Sequence, residues 1–172
     1  FSLPTFSQAS YSTDMYNITY SVDTTGDEFQ SDNIVSQDFH ISNTKYSNVP
    51  LDSNEKMVLS PFYRPSNATG SVSICAPFVD PNASRMAAMG LSFAAVCSGC
   101  DLSNRYFTTY AHEWGDVFTD LDDPNANITS INTIGTGEFT YPNDSAYEEI
   151  YVPFTDPIDL LDNQRYLFCV NT

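Results

Sequence analysis

The C-terminal segment, residues 133–172, carries the pattern that most restricts the fold of this chain. Apolar side chains occupy every second position in short runs, such as Ile150, Val152 and Phe154, and these runs are separated by Pro, Asn and Asp. This alternation is typical of short antiparallel strands with one buried face. We therefore predict successive strands over residues 137–142, 149–154, 157–161 and 165–170, with Cys169 on the last. The core of this block should include Phe139, Val152, Phe154, Leu160 and Leu167.

The rest of the chain continues the β pattern. Further strand candidates cover residues 15–22, 38–42, 56–59, 71–78 and 105–115. Residues 85–97 fit either a helix or a strand, and Gly90 together with the β surroundings favours the strand. With about nine or ten short strands in all, the sequence predicts an all-β, antiparallel β-sandwich of jelly-roll type. We expect one domain over residues 1–172, with residues 1–10 as an extended arm or linker.

The charge balance restricts the partners. Twenty-two acidic residues stand against six basic ones, so the formal net charge is −16. Nucleic acids require clusters of Lys and Arg, so we expect no nucleic-acid partner. No apolar run is long enough for a transmembrane helix, so we expect no membrane span. A strongly acidic surface keeps a crowded assembly soluble and also attracts divalent cations.

The four cysteines leave several interpretations open. Cys97 and Cys100 form a Cys-x-x-Cys sequence that a disulfide could close into a small ring, which would fit an oxidising compartment. Cys75 and Cys169 lie within apolar strand patterns, where cysteine often serves as a small buried hydrophobe. A zinc site is the remaining alternative, but its usual signature has two close cysteine pairs and only one is present.

No catalytic motif stands out. The sequence from His112 to Asp116 resembles a metalloprotease helix only in part, because the second histidine is missing. Trp114, the sole tryptophan, is expected either to pack in the core or to act as a platform on which a sugar or peptide ligand stacks. We therefore predict no enzymatic activity, no catalytic residue and no bound cofactor other than calcium. A secreted hydrolase that uses a pair of carboxylates remains an alternative.

The best metal candidate is an acidic loop. Calcium is bound by carboxylate, amide and backbone oxygens that are clustered in loops. The candidate ligands are Asp120, Asp122, Asp123 and Asn125. Their spacing does not match the calcium loop of EF-hand proteins, and an acidic turn without metal is the alternative.

Part of the C-terminal half resembles a known group of domains. The segments that carry this resemblance are Gly137 to Tyr141, Tyr151 to Phe154, Pro157-Ile158 with Leu160, and Asn163 to Leu167. They resemble jelly-roll β-sandwich domains of virion appendage proteins (fibres and decoration proteins) of marine phages and of similar extracellular bacterial proteins. The resemblance covers residues 90–172, and its motifs are structural, so it carries over no functional residue.

These observations lead to one main functional expectation and one alternative. The main expectation is a non-enzymatic structural or adhesive subunit of an extracellular assembly, such as a virion fibre, decoration or appendage protein. Its partners would be other subunits of the same assembly, most simply copies of itself, and it would lie outside the cell or on the virion surface. The alternative is a secreted carbohydrate-binding module that uses exposed tyrosines and Trp114 to bind a glycan.

Overall fold

The computed structural model describes most of the chain. The described residues are 12–22, 25–26, 28–29, 31, 33–58, 70–97, 99–115, 117–120, 123–125, 127 and 130–172. The predicted arm over residues 1–10 and the metal candidate Asp122 lie outside these ranges. The chain divides into two compact units, Phe1–Ser60 and Pro61–Thr172. The interpretation of residues 1–172 as one domain stays a prediction.

The described residues form eight β-strands, all paired antiparallel. The strands are β1 (Asp14–Ser21), β2 (Ile34–Ile41), β3 (Ser73–Phe78), β4 (Ala87–Ala94), β5 (Tyr106–Glu113), β6 (Asn132–Thr140), β7 (Glu149–Asp159) and β8 (Tyr166–Asn171). The all-β, antiparallel prediction is therefore confirmed, and residues 87–94 of the ambiguous segment 85–97 form a strand, β4. Ala83–Arg85 forms a 3₁₀ turn, and none of the described residues is in an α-helix. In that part of the chain no helix is long and apolar enough to cross a bilayer.

The first unit contains a two-stranded sheet of β1 and β2 with two different faces. On one face, Tyr16 stacks on Phe39 with ring centroids 5.4 Å apart, and Tyr20 lies opposite Val35. The other face has polar residues at its centre and Met15 and Ile34 towards its two ends. Its polar side chains bond across the strands: the Asn17 amide donates to Asp38 at 2.7 Å. The predicted strand at 56–59 is not found among its described residues, where Met57 instead forms an isolated bridge with Leu51.

The second unit contains two antiparallel sheets whose facing sides share a core. One sheet has the strand order β3-β8-β5-β6, and the other pairs β4 with β7. Apolar side chains from both sheets pack into two clusters. The buried members are Phe78, Ala83, Ala111, Phe154, Ile158, Leu160 and Tyr166 in one cluster, and Phe93, Leu102, Phe107, Tyr141 and Val152 in the other. This two-layer packing is that of a β-sandwich, whereas the jelly-roll connectivity stays a prediction.

A third cluster lies on the other face of the four-stranded sheet. Successive side chains of β8 point to opposite faces, so Tyr166 and Phe168 join the inner core while Leu167 and Cys169 face outward. The outward pair is covered by Trp114, Phe118 and Ile131 from the connection between β5 and β6. The central strand β8 is thus buried on both sides, with Leu167 at 3% exposure and Cys169 at 0%.

The prediction of two strands over residues 149–154 and 157–161 is wrong, because one strand, β7, runs from Glu149 to Asp159. Pro157 does not end it. Ala88 of β4 pairs with Ile158 and Gly90 pairs with Pro153, so residues 154–157 have no partner on β4. In this unpaired stretch the missing N–H of a proline removes no ladder hydrogen bond.

Two glycines of β6 allow the two sheets to approach closely. A Cβ atom on Gly137 would lie 2.5 Å from the carbonyl oxygen of Pro153 in β7 and 2.7 Å from the hydroxyl of Thr109. A Cβ on Gly135 would overlap the Ile158 side chain. The register of β5 and β6 shifts just beyond Gly135, between Ala111 and His112, so a bulge accompanies the glycine pair. Neither position tolerates a side chain without movement of its neighbours.

The predicted core of the C-terminal block agrees closely with the structure. Val152, Phe154, Leu160 and Leu167 are buried. Phe139 is half-buried and packs against the cluster of Phe107 and Tyr141, where it meets the Tyr141 ring edge-on. Cys169 lies on the last strand, as predicted.

Candidate functional site

The connection between β5 and β6 is a long loop of the second unit. Buried side chains attach both of its ends to the four-stranded sheet. Trp114 and Phe118 fix its start on the outer face of the four-stranded sheet, and Ile131 fixes its end. The two aromatic rings lie 4.8 Å apart, and the Trp114 indole N–H donates to the Phe118 carbonyl at 3.1 Å. The loop therefore has an anchored base, while its tip includes the exposed residues Asp120 and Asn125.

Arg165, just before β8, holds the first part of this loop. Its guanidinium donates to the carbonyls of Thr119 at 2.6 Å, Gly115 at 2.9 Å and Phe118 at 3.2 Å. It also lies over the Trp114 ring, 4.4 Å from the centroid. A guanidinium supplies several donors in a fixed plane, so one side chain satisfies three loop carbonyls and covers the indole.

Trp114, the predicted ligand platform, takes part in this packing. Its side chain is 5% exposed, because Arg165 lies over the ring and Phe118 packs beside it. The packing alternative therefore describes the arrangement in the structure. A ligand that stacks on this indole would first have to displace the Arg165 guanidinium.

The acidic loop organises itself through hydrogen bonds from backbone N–H groups. Asp123 accepts from the Asn125 N–H at 2.8 Å and from the Thr119 N–H at 3.3 Å. The bond from the Asn125 N–H is the main reason that the pKa of Asp123 is lowered, so this carboxylate is ionised at neutral pH. Both of its oxygens therefore have donors within the loop.

The described calcium candidates lie in one loop, but their side chains are not grouped there into a set of metal ligands. Asp120, Asp123 and Asn125 lie in the same loop, where the Asp123 N–H donates to the Asp120 carbonyl at 3.3 Å. Among the described residues, no three His, Cys, Asp or Glu side chains come together as a metal site requires. Calcium at this loop stays a prediction.

His112 is buried on the outer face of the sheet, in β5. It is 6% exposed, its Nδ1 lies 3.0 Å from the Thr133 hydroxyl, and its ring stacks on Tyr110. Burial lowers the pKa of His112, so the ring is neutral at neutral pH. These contacts give His112 a packing role between β5 and β6.

The four cysteines form two disulfides. Cys97 pairs with Cys100, as one interpretation of the sequence predicted, and Cys75 pairs with Cys169. The second pair joins β3 to β8, where the two residues are register partners. The alternatives of free thiols and of a zinc site are therefore wrong for this structure.

A shallow groove of about 470 Å³ lies between β6 and β7. Thr133, Thr136, Thr155 and Asp156 supply its polar groups, and the Thr155 hydroxyl donates to the Thr136 carbonyl across it at 3.2 Å. Asp156 is the single carboxyl group among its described lining residues. A glycosidase that works with two carboxylates needs a pair within several ångströms, and this groove does not supply one.

No family model, curated protein or solved structure matches this chain.

Two features that the sequence did not predict organise this region. The first is Arg165, whose contacts lie nearly fifty positions earlier in the chain, at Gly115 and Thr119. The only sequence feature that could have pointed to Arg165 is the rarity of basic residues, since the chain has six Lys and Arg among 172 residues. The second is the Cys75–Cys169 pair, because spacing alone does not fix disulfide connectivity.

Proposed function

We propose that this chain is a non-enzymatic structural or adhesive β-sandwich component of an extracellular assembly, and most specifically a virion fibre, decoration or appendage protein. The observation that carries this proposal is the sheet of β1 and β2 in the first unit. One face carries mainly apolar side chains around Gln37, and Tyr20 and Val35 on it are exposed, whereas the other face is polar at its centre. An oxidising, extracellular setting is supported by the two disulfides.

The apolar face of this sheet has the composition of a protein interface. It presents Tyr20 at 44% exposure, Val22 at 61% and Val35 at 63%, beside the Tyr16–Phe39 stack. A two-stranded sheet is marginally stable by itself in water and is stabilised when an apolar face packs on another layer. Asp14 is the only charged residue at the register positions of this face, and it lies at one end.

The partner that this face fits best is a second copy of the same chain. A net charge of −16 means that two copies repel each other over most of their surfaces. The uncharged centre of this face avoids that repulsion, because it brings together tyrosine, valine, isoleucine and phenylalanine side chains. Self-association through an apolar sheet face is also an economical route to a repetitive assembly.

Light scattering coupled to size-exclusion chromatography tests this role. The wild-type chain should show a mass that rises with concentration towards an integral multiple of the single chain. Val35→Asp places a charge in the centre of the apolar face and should shift the mass to that of one chain. Ser36→Asp is the matched control, because Ser36 lies next in β2 on the polar face. A wild-type chain that remains single at every concentration would contradict the proposal.

Glycan binding is the second candidate function. Because Trp114 is covered by Arg165, exposed tyrosines would have to contact the sugar. Tyr106, Tyr147 and Tyr151 of the second unit are each more than half exposed. Exposed tyrosine rings are common platforms for sugar rings. A glycan array tests this candidate: binding that is lost in Tyr147→Ala or Tyr151→Ala would support it, and an array without hits would rule against it.

A further inference from the structure

The two disulfides of the second unit differ in where they lie and in what they join. Cys75–Cys169 spans 94 positions in sequence and crosses two paired strands. Cys97–Cys100 spans only 3 positions, in the connection between β4 and β5. The constraint that a disulfide imposes on the unfolded chain grows with the length of the closed loop. The fold therefore depends on the first disulfide far more than on the second.

The two disulfides also differ in their exposure to solvent, and Cys97–Cys100 is the more accessible. Cys169 is 0% exposed and lies under Trp114, Phe118 and Ile131. Cys100 is exposed, while Cys97 is half-buried against the cluster of Phe93 and Leu102. A thiolate must reach a disulfide sulfur directly to react with it. Cys100 is exposed to such an attack, whereas Cys169 is covered and its partner Cys75 is half-buried.

The segment around the Cys97–Cys100 ring has other attachments that do not depend on its disulfide. Leu102 is 4% exposed, and its N–H donates to Asp144 at 3.2 Å. The Asn104 N–H donates to the Tyr141 carbonyl at 2.8 Å, and the Tyr141 N–H donates back to the Arg105 carbonyl at 3.0 Å. Opening the ring therefore leaves the connection between β4 and β5 held in place.

We propose that Cys97–Cys100 is a thiol-exchange site at which an external thiol becomes attached to Cys100. The incoming thiolate attacks the Cys100 sulfur, a new sulfur–sulfur bond forms, and the Cys97–Cys100 bond breaks. Cys97 leaves as a thiolate and takes up a proton from water. No separate oxidant or reductant is required, because one disulfide replaces another. The site is independent of the function proposed above.

The chemistry of the ring distinguishes this site from a redox catalyst. Cysteine pairs that act as catalysts usually lie at the N-terminus of a helix, which lowers the thiol pKa. Here the pair follows a strand, β4, and the described residues around it form no helix. The ring therefore acts as an acceptor for a thiol, which can belong to a small molecule or to a cysteine of another protein.

Selective reduction of the native protein tests the proposal. Wild-type protein would be treated with a limiting amount of dithiothreitol without denaturant, quenched with iodoacetamide, digested and analysed by mass spectrometry. We expect the Cys97–Cys100 disulfide to be reduced at least about tenfold faster than Cys75–Cys169, as measured by the alkylated fraction of each cysteine pair over time. Equal rates, the reverse order, or no alkylation of Cys97 and Cys100 until denaturant is added would overturn the proposal.

Two single variants test which sulfur is attacked. Cys97→Ser leaves Cys100 as the thiol of the pair, and Cys100→Ser leaves Cys97. With dithiobis(nitrobenzoic acid) as the probe, the Cys100 thiol should react at least about tenfold faster, because it is exposed. The same Cys97→Ser protein should form a stable mixed disulfide with the disulfide-linked dimer of a peptide that carries one cysteine, as well as with glutathione disulfide, and one thiol is released in each exchange. An adduct with glutathione alone identifies a site for small-molecule thiols, and an adduct with both probes identifies a site that also accepts cysteines of other proteins. In the comparison of the two variants, a faster reaction at Cys97 would overturn the assignment of Cys100.

Discussion

The strands of both units have the same alternating pattern of apolar side chains, but the apolar faces are buried in the second unit and partly exposed in the first. In the second unit, two sheets face each other, and a loop covers the outer face of the larger sheet. In the first unit, Leu51 is the only buried apolar side chain among the described residues, and the apolar face of β1 and β2 is partly exposed. Alternation alone therefore defines which side chains share a face, while the presence of a second layer decides whether that face becomes a core.

The largest expected effect concerns the disulfide that joins β3 to β8. Removing both partners in Cys75→Ala/Cys169→Ala should lower the free energy of unfolding by about 2–5 kcal/mol, since the disulfide closes a long loop and lies in a buried cluster. Urea unfolding of the oxidised proteins measures this loss. Cys97→Ser/Cys100→Ser is the control, and an equal loss in both variants would contradict the difference between the two disulfides.

The next effect tests the close approach of the two sheets. Gly137→Ala should destabilise the second unit by about 1–3 kcal/mol, because the added Cβ would lie 2.5 Å from the Pro153 carbonyl oxygen. Thermal unfolding followed by circular dichroism measures the change. Thr136→Ala, at the neighbouring exposed position, should have little effect. If Gly137→Ala proves as stable as wild type, β6 and β7 do not approach each other as closely as the 2.5 Å distance from that Cβ to the Pro153 carbonyl oxygen requires.

The bonds from Arg165 to the loop between β5 and β6 provide a third test. Arg165→Met retains an apolar stem and removes the donors to the Gly115, Phe118 and Thr119 carbonyls, which should cost roughly 1–3 kcal/mol. Hydrogen exchange should accelerate at residues 117–120. Arg85→Met is the control, since the ion pair of Arg85 with Asp80 is at the surface and should contribute less than about 1 kcal/mol. Unchanged exchange in Arg165→Met would show that Trp114 and Phe118 hold the loop alone.

The fourth test uses the lowered pKa of His112. The unfolded chain binds a proton at this residue more readily than the fold does, so stability rises with pH between the folded pKa and the unfolded value of about 6.5. The stability contributed by neutral His112 is complete above about pH 6.5 and decreases as the pH falls below it. Urea midpoints between about pH 4.5 and 8 should show this slope.

His112→Gln should flatten that slope. His40→Gln is the matched variant in the first unit, and it should keep the slope because His112 is still present. A slope that persists unchanged in His112→Gln would assign it to other groups. The partly exposed carboxylates with lowered pKa values, such as Asp80 and Asp123, contribute stability that is lost only at lower pH, below their unfolded pKa of about 3.9.

The smallest effect belongs to the polar face of the first unit. Asn17→Ala removes the bond to Asp38, and a cross-strand pair of this kind contributes about 0.2–1 kcal/mol. Hydrogen exchange of the β1 and β2 amides is a suitable measurement. Asp38→Asn, which keeps an acceptor for the Asn17 amide, should have a smaller effect. A loss as large as that in Gly137→Ala would mean that the first unit depends on its polar face and not on its apolar one.

Much of the second unit follows from its local pattern. The strand identity of residues 85–97, the buried positions of Val152 and Leu167 and the place of Cys169 all depend on which face each side chain takes, and that is a local property. The predicted break between the strands 149–154 and 157–161 was wrong for a tertiary reason. Whether a proline interrupts a strand depends on the presence of a partner strand at that position, and β4 has none opposite it.

The candidate site could be predicted only in part. The sequence identified the acidic loop and Trp114, and it included the Cys97–Cys100 disulfide among its alternatives. It did not identify Arg165 as the residue that holds the loop, because an arginine that bonds to backbone carbonyls leaves no motif in the sequence. The same applies to the burial of Trp114, which depends on residues from three separate segments.

The sequence by itself determined the all-β class, the acidic surface and the faces of most strands, because alternation and composition are read residue by residue. The tertiary structure decided which strands are neighbours, which cysteines pair and which aromatic side chains are covered. These depend on contacts between positions far apart in the chain, such as Cys75 with Cys169 and Trp114 with Arg165. No local pattern encodes such contacts, since they arise only when separate strands are brought side by side.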